Sequence, residues 1–185
     1  PVADVATLDS PIADRAFSDD PSLASQYTAA AIRGCRAEDL ACAALHFPGL
    51  GAASSETSTG PATVSLDGSD LAARDLEPFR AAFAERVPAV VLSLAFYAAY
   101  DPITPGAMTR GIATGLLRDQ LHFTGVAITD DLGAGAVRAT YSPAEAAVGA
   151  LRAGADLVQL ASPEGQGSVR DAVLEALADG SLPRD

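Results

Sequence analysis

Gly125-Val126-Ala127-Ile128-Thr129-Asp130-Asp131-Leu132 runs apolar β-formers into a carboxylate pair, and the small-residue turn Gly133 to Gly135 follows. A buried strand that delivers an acid to the rim of a sheet has this pattern. In α/β barrels the C-terminal strand ends carry the chemistry, so Asp130 is placed for catalysis. The alternative is that Asp130 or Asp131 caps the next helix.

Working outward, Leu40 to Phe47 and Ala89 to Tyr97 read as earlier strands, Asp156 to Leu160 as a later one, and Pro1 to Val5 as a short apolar segment. Between them the pattern predicts helices. Ser22 to Arg33 is stopped by Gly34, and Asp67 or Ser69 caps a helix through Leu76. Pro78 suits the first turn of a second piece, whose Phe79 and Phe83 share a face. Met108, Ile112, Leu116 and Leu121 form a core stripe. Ser142-Pro143 opens a helix that carries Glu145, Val148 and Leu151 and closes at Gly154; Val169, Val173, Leu174 and Leu177 mark a last one. Connections this long exclude hairpins, so the sheet is expected to be parallel. The fold class is α/β, with five strands where a closed (β/α)₈ barrel has eight.

At 185 residues, 49% hydrophobic and 19% charged, the chain is expected to form one domain over residues 1–185. A net charge of −12 and no basic patch argue against nucleic acid. No apolar run approaches the roughly 20 residues of a membrane span. The start at Pro1 and the single methionine, Met108, read as a processed, trimmed or partial chain. Cys35 and Cys42 could form a local disulfide or remain two thiols; with two distant histidines they do not make a metal site.

Three further residues are candidates for chemistry. Arg15 either neutralises nearby acids or contacts an anion or sugar. His46, at a strand end, is either structural or functional. The small, polar loop Leu50 to Pro61 reads as an active-site flap, and Glu56 is its one ionisable side chain.

Four blocks together resemble the N-terminal catalytic domain of family-3 glycoside hydrolases, in the branch of the β-N-acetylhexosaminidases. They are Pro1-Val2-Ala3-Asp4-Val5 with Arg15-Ala16-Phe17 and Asp20-Pro21; His46-Phe47-Pro48-Gly49; Leu116-Leu117-Arg118 through Leu121, Phe123 and Gly125; and Ile128-Thr129-Asp130-Asp131-Leu132. The likeness continues through Glu145-Ala146-Ala147 and Ala153-Gly154-Ala155-Asp156. It implies a divergent, N-terminally incomplete (β/α)₈ barrel of which this chain supplies the last five strands. A preceding segment or another copy would complete it. The resemblance further implies a carbohydrate substrate, no cofactor, Asp130 as the nucleophile of a retaining mechanism on β-linked N-acetylglucosamine-type sugars, and Arg15 and His46 as sugar contacts. Cell-wall or chitin-type glycans, and export or the cell envelope, follow as expectations, with the cytoplasm as the alternative.

The departures from that pattern matter as much. Leu45 stands where the family has Lys, Leu50 where it commonly has a second His, and Leu94 where it has a polar strand-end residue. Glu56-Thr57-Ser58 replaces the flap element whose histidine is the family's acid/base. Glu56 then becomes the candidate acid, with burial against apolar neighbours as the expected means of keeping it protonated, or else a solvated loop residue. Two functions compete: a hydrolase with an altered acid, and a catalytically silent carbohydrate-binding or scaffold protein on the same fold.

Overall fold

The computed structural model describes residues 1–183. Six strands occur among the described residues: β1 (Ala43–Phe47), β2 (Thr63–Val64), β3 (Ala89–Leu92), β4 (Phe96–Tyr97), β5 (Val126–Asp131) and β6 (Leu157–Gln159). β1, β3, β5 and β6 lie side by side in that order and all parallel, with Val91 opposite both Leu45 and Ile128. The segment Pro1 to Val5 adds to the free side of β1. Val2 pairs with Leu45 in parallel, and Ala3 N donates to the Leu45 carbonyl at 2.7 Å. The result is five consecutive parallel strands in chain order, joined by helical crossovers. This is the arrangement of a (β/α)₈ barrel.

Helices α1 (Pro21–Ala37), α2 (Gly68–Asp70), α3 (Leu76–Ala84), α4 (Gly135–Arg138), α5 (Pro143–Ala153) and α6 (Gln166–Ala178) connect the strands, with π-helical stretches at Leu71–Asp75 and Gly111–Gln120. Local chemistry explains their starts. Asp20 accepts from Ser22 N and Leu23 N at 2.8 and 3.0 Å, and Asp67 accepts likewise from Ser69 N and Asp70 N. Ser142 and Glu145 close a capping box. The stripe Ile112 and Leu116 is buried, with Met108 and Leu121 packed against the same core.

Four sequence expectations need correction. α1 does not stop at Gly34 but runs on to Ala37, because one glycine costs a helix only about 1 kcal/mol and packing against α3 outweighs it. β1 begins at Ala43 rather than Leu40, whose amide instead closes a turn onto the Cys35 carbonyl at 2.9 Å. The run Ala89 to Tyr97 breaks after Leu92: Phe96–Tyr97 leaves the main sheet to pair with Thr63–Val64, for which the sequence predicts no element. On α6, Val169 is buried but Leu174 is 56% exposed; Leu157 beside it is 53% exposed, because among the described residues β6 pairs on one side only.

Candidate active site

The strand ends and loops at the C-terminal rim converge on one cavity of about 620 Å³. Arg15, His46, Glu56 and Asp130 all line it, together with Leu45 and Thr57. Those four side chains come from the loop after the first strand, the end of β1, the flap and the end of β5. A cavity of about 630 Å³ elsewhere, between β6 and α6, is walled by Leu157, Leu160, Val169, Val173 and Leu174 and holds a single charged lining residue, Arg170.

Asp130 and Asp131 part ways. Asp131 braces two loops, its Oδ1 accepting from Gly133 N at 2.9 Å and Ala161 N at 3.0 Å. The Asp130 carboxylate accepts the Asp131 amide at 2.8 Å and otherwise faces the cavity. Neither caps α4, whose first turn receives no side-chain hydrogen bond.

His46 is held from behind by a residue that sequence reasoning left without a role. Asp4 is fully buried; its carboxylate accepts His46 N at 3.1 Å and Leu50 N at 2.7 Å and lies 2.7 Å from His46 Nδ1. A carboxylate on Nδ1 makes that nitrogen the donor and turns Nε2 toward the cavity, 3.9 Å from Asp130 Oδ2. Burial alone would push the imidazole down, but the Asp4 hydrogen bond and charge, with the charge of Asp130, outweigh it and raise the His46 pKa. The signal for Asp4 was present in the sequence. Pro1-Val2-Ala3-Asp4 repeats the apolar-run-to-acid pattern of β5.

The turn after His46 is fixed by close packing. Gly49 has φ +132°, and a Cβ there would meet Asp75 Cβ at 2.6 Å, so only glycine fits. Tyr97 Oη donates to the Gly49 carbonyl at 2.9 Å. Asp75 is buried beneath; burial and the charge of Asp4 push its carboxyl up to about 6 against the pull of Arg74.

The flap is tied down rather than loose. Gly135 N and Ala136 N donate to Ser58 O and Thr57 O, each at 3.0 Å, and a Cβ on Gly135 would strike the Thr59 carbonyl. This fixes the backbone immediately after Glu56. Contrary to the expectation of an apolar pocket, the Glu56 side chain is 34% exposed and sits 3.5 Å from the Arg15 guanidinium. The three leucine departures also divide. Leu50 and Leu94 are core residues, while Leu45 forms part of the cavity wall.

The whole chain, residues 1–185, matches the family model described as "Glycosyl hydrolase family 3 N terminal domain". It is 34% identical over 182 residues to a β-hexosaminidase of Stenotrophomonas maltophilia, a match that covers 98% of this chain and 53% of that protein. The chain thus spans about half the length of that relative. Among solved structures, a family 3 β-N-acetylglucosaminidase from Paenibacillus superposes with a TM-score of 0.93 at 29% identity, over 100% of this chain and 36% of that one. A family 3 glycosyl hydrolase from Mycobacterium smegmatis gives 0.91 at 31% identity, over 100% and 57%.

Proposed function

The chain belongs to glycosyl hydrolase family 3, as its N-terminal domain, and from that premise we propose a retaining glycosidase acting on β-linked N-acetylglucosamine-type glycans. The observation that carries the reading is the Asp130 carboxylate, open to the cavity, flanked by His46 and accompanied by a second carboxylate, Glu56, on the flap. Retaining hydrolysis needs two such groups about 5 Å apart, on either side of the scissile bond.

In this mechanism Asp130 attacks the anomeric carbon and forms a glycosyl ester as Glu56 protonates the departing oxygen. Glu56, now a carboxylate, takes a proton from water. The hydroxide so generated attacks the anomeric carbon and releases Asp130. The imidazolium of His46, oriented by Asp4, offers its Nε2 proton to a sugar hydroxyl and lowers the cost of the charge on Asp130. Arg15 contacts the sugar from the same wall of the cavity as Glu56. Leu45 supplies no donor where the family's lysine would, so hold on the sugar is weaker on that side.

The same premise bears on the one-sided pairing of β6. Three further βα units, or another copy of this chain, would cover the apolar cavity beside it. Light scattering of the 185-residue chain separates the two: a monomer supports the further units, and a dimer supports the copy.

The test of the mechanism is intact-mass spectrometry before and after incubation with a 5-fluoro N-acetylglucosaminyl fluoride. Fluoride leaves without an acid, and the ring fluorine slows breakdown of the glycosyl ester. An adduct mapped to Asp130 supports the reading. No adduct on a chain shown to bind the sugar supports the silent carbohydrate-binding alternative.

A further inference from the structure

Beneath the rim, one guanidinium grips the chain where the first loop of the site begins. Arg74 lies in the π-helical stretch Leu71–Asp75 and does not line the rim cavity. Its Nη2 donates to the carbonyls of Val5 and Ala6, each at 2.7 Å, and its Nη1 donates to the buried Asp75 carboxylate at 3.1 Å. Those two carbonyls separate two parts of the site. Asp4, which holds His46, comes immediately before them, and the loop that carries Arg15 comes immediately after. The turn after His46 presses on the same point from another side: a Cβ on Gly51 would strike the Val5 carbonyl, and Thr7 Oγ1 donates to the Gly51 carbonyl at 3.2 Å. Ala6 N donates to the Ser18 carbonyl at 3.1 Å and ties down the far end of the Arg15 loop.

We propose that Arg74 is a positioning residue for the sugar-binding side of the site: its guanidinium fixes the end of the first strand, so that Asp4 meets the His46 imidazole and the following loop presents Arg15 to the cavity. The role in sugar binding rests on the proposed glycosidase reading of His46 and Arg15; the hold on His46 stands without it. Neutralising Asp75 requires only one end of the guanidinium. The other end serves two successive carbonyls, and a rigid planar fork satisfies both of them and the carboxylate at once. Successive carbonyls of an extended strand point apart, so one nitrogen shared by Val5 and Ala6 pins the chain where it leaves the strand. A slip there takes the Asp4 oxygens off His46 N, His46 Nδ1 and Leu50 N together, and the His46 ring is then free to turn.

The test reads the His46 Nδ1–H proton by NMR. The chain has two histidines, and His122→Asn removes the exposed one, which leaves His46 as the sole imidazole. In that background the proton held by Asp4 is expected as a hydrogen-bonded, slowly exchanging resonance. Arg74→Ala should lose it well below the melting temperature and should weaken binding of N-acetylglucosamine roughly tenfold by calorimetry. Guanidinium ion in the millimolar range should restore both. Where Arg74→Ala alone fails to fold, adding Asp75→Asn removes the carboxylate left without its partner, and the same outcomes are expected. A resonance retained in the folded variant overturns the proposal, as does a lost one that guanidinium ion does not restore. A parent chain that shows the resonance but binds no N-acetylglucosamine overturns the sugar-binding role and the glycosidase reading together, while the resonance still decides the hold on His46.

Discussion

Asp4 and Asp130 each end an apolar segment at the same rim of the sheet, and the fold uses them in opposite ways. Asp4 is sealed from solvent and spends its oxygens on two backbone amides and an imidazole. Asp130 keeps one short backbone bond and turns the rest of its carboxylate to a cavity. An acid whose acceptor capacity is spent inside the protein orients its neighbours. One whose capacity is left open awaits a ligand.

The sharpest way to break that contrast is to neutralise each acid. Asp130→Asn should lower turnover of an aryl N-acetylglucosaminide on the order of 10⁴-fold, with the melting temperature unchanged. A melting loss as large as that of Asp4→Asn would erase the distinction. Glu56→Gln should slow poor leaving groups by roughly 10²- to 10⁴-fold and good ones far less, read from a series of aryl glycosides. Equal slowing across the series would remove Glu56 as the acid. Asp4→Asn puts an NH₂ where N–H donors already point and should cost about 3 kcal/mol in urea unfolding.

Smaller effects sharpen the picture beneath the rim. Asp75 has its folded pKa raised to about 6, so its contribution to stability is present at low pH and is lost as pH rises from the ordinary carboxylate range through about 6. Asp75→Asn should therefore raise stability by about 3 kcal/mol at pH 8 and leave it unchanged near pH 3, as measured by denaturant titration at both values. His46, also raised, adds a loss in the same direction at higher pH, as its imidazolium loses the proton that Asp4 favours. Leu45→Lys should lower KM for the N-acetylglucosaminide by roughly tenfold, since it restores a charged donor to the cavity wall. An unchanged KM would mean that the sugar does not lie against this wall.

Arg15, His46, Glu56 and Asp130 could be nominated from the sequence because each sits beside a strand or turn signal that is local, and Arg15, His46 and Asp130 fall within blocks that resemble a family pattern. Asp4 was visible as an acid but had no assigned role. Its partners lie more than 40 residues away, and nothing local says that a turn amide and an imidazole will meet it. Glu56 shows the reverse, its exposure fitting the solvated-loop reading rather than apolar burial. An isolated acid in a small-residue loop invited a reading of apolar burial, while the guanidinium that pairs with it comes from a different loop.

The sequence by itself determined the α/β alternation, the parallel sheet, helix starts near Ser22, at Asp67 or Ser69 and at Ser142, and the acid at the end of β5. These follow from hydrophobic period, capping chemistry and chain length, all of which act over a few residues. Only the tertiary structure decided that α1 runs through Gly34, that Phe96–Tyr97 leaves the main sheet for Thr63–Val64, that Asp4 sets the His46 ring, and that Arg15 meets Glu56. Each of these depends on which distant groups come within contact distance once the core closes, and that competition overrides local preference.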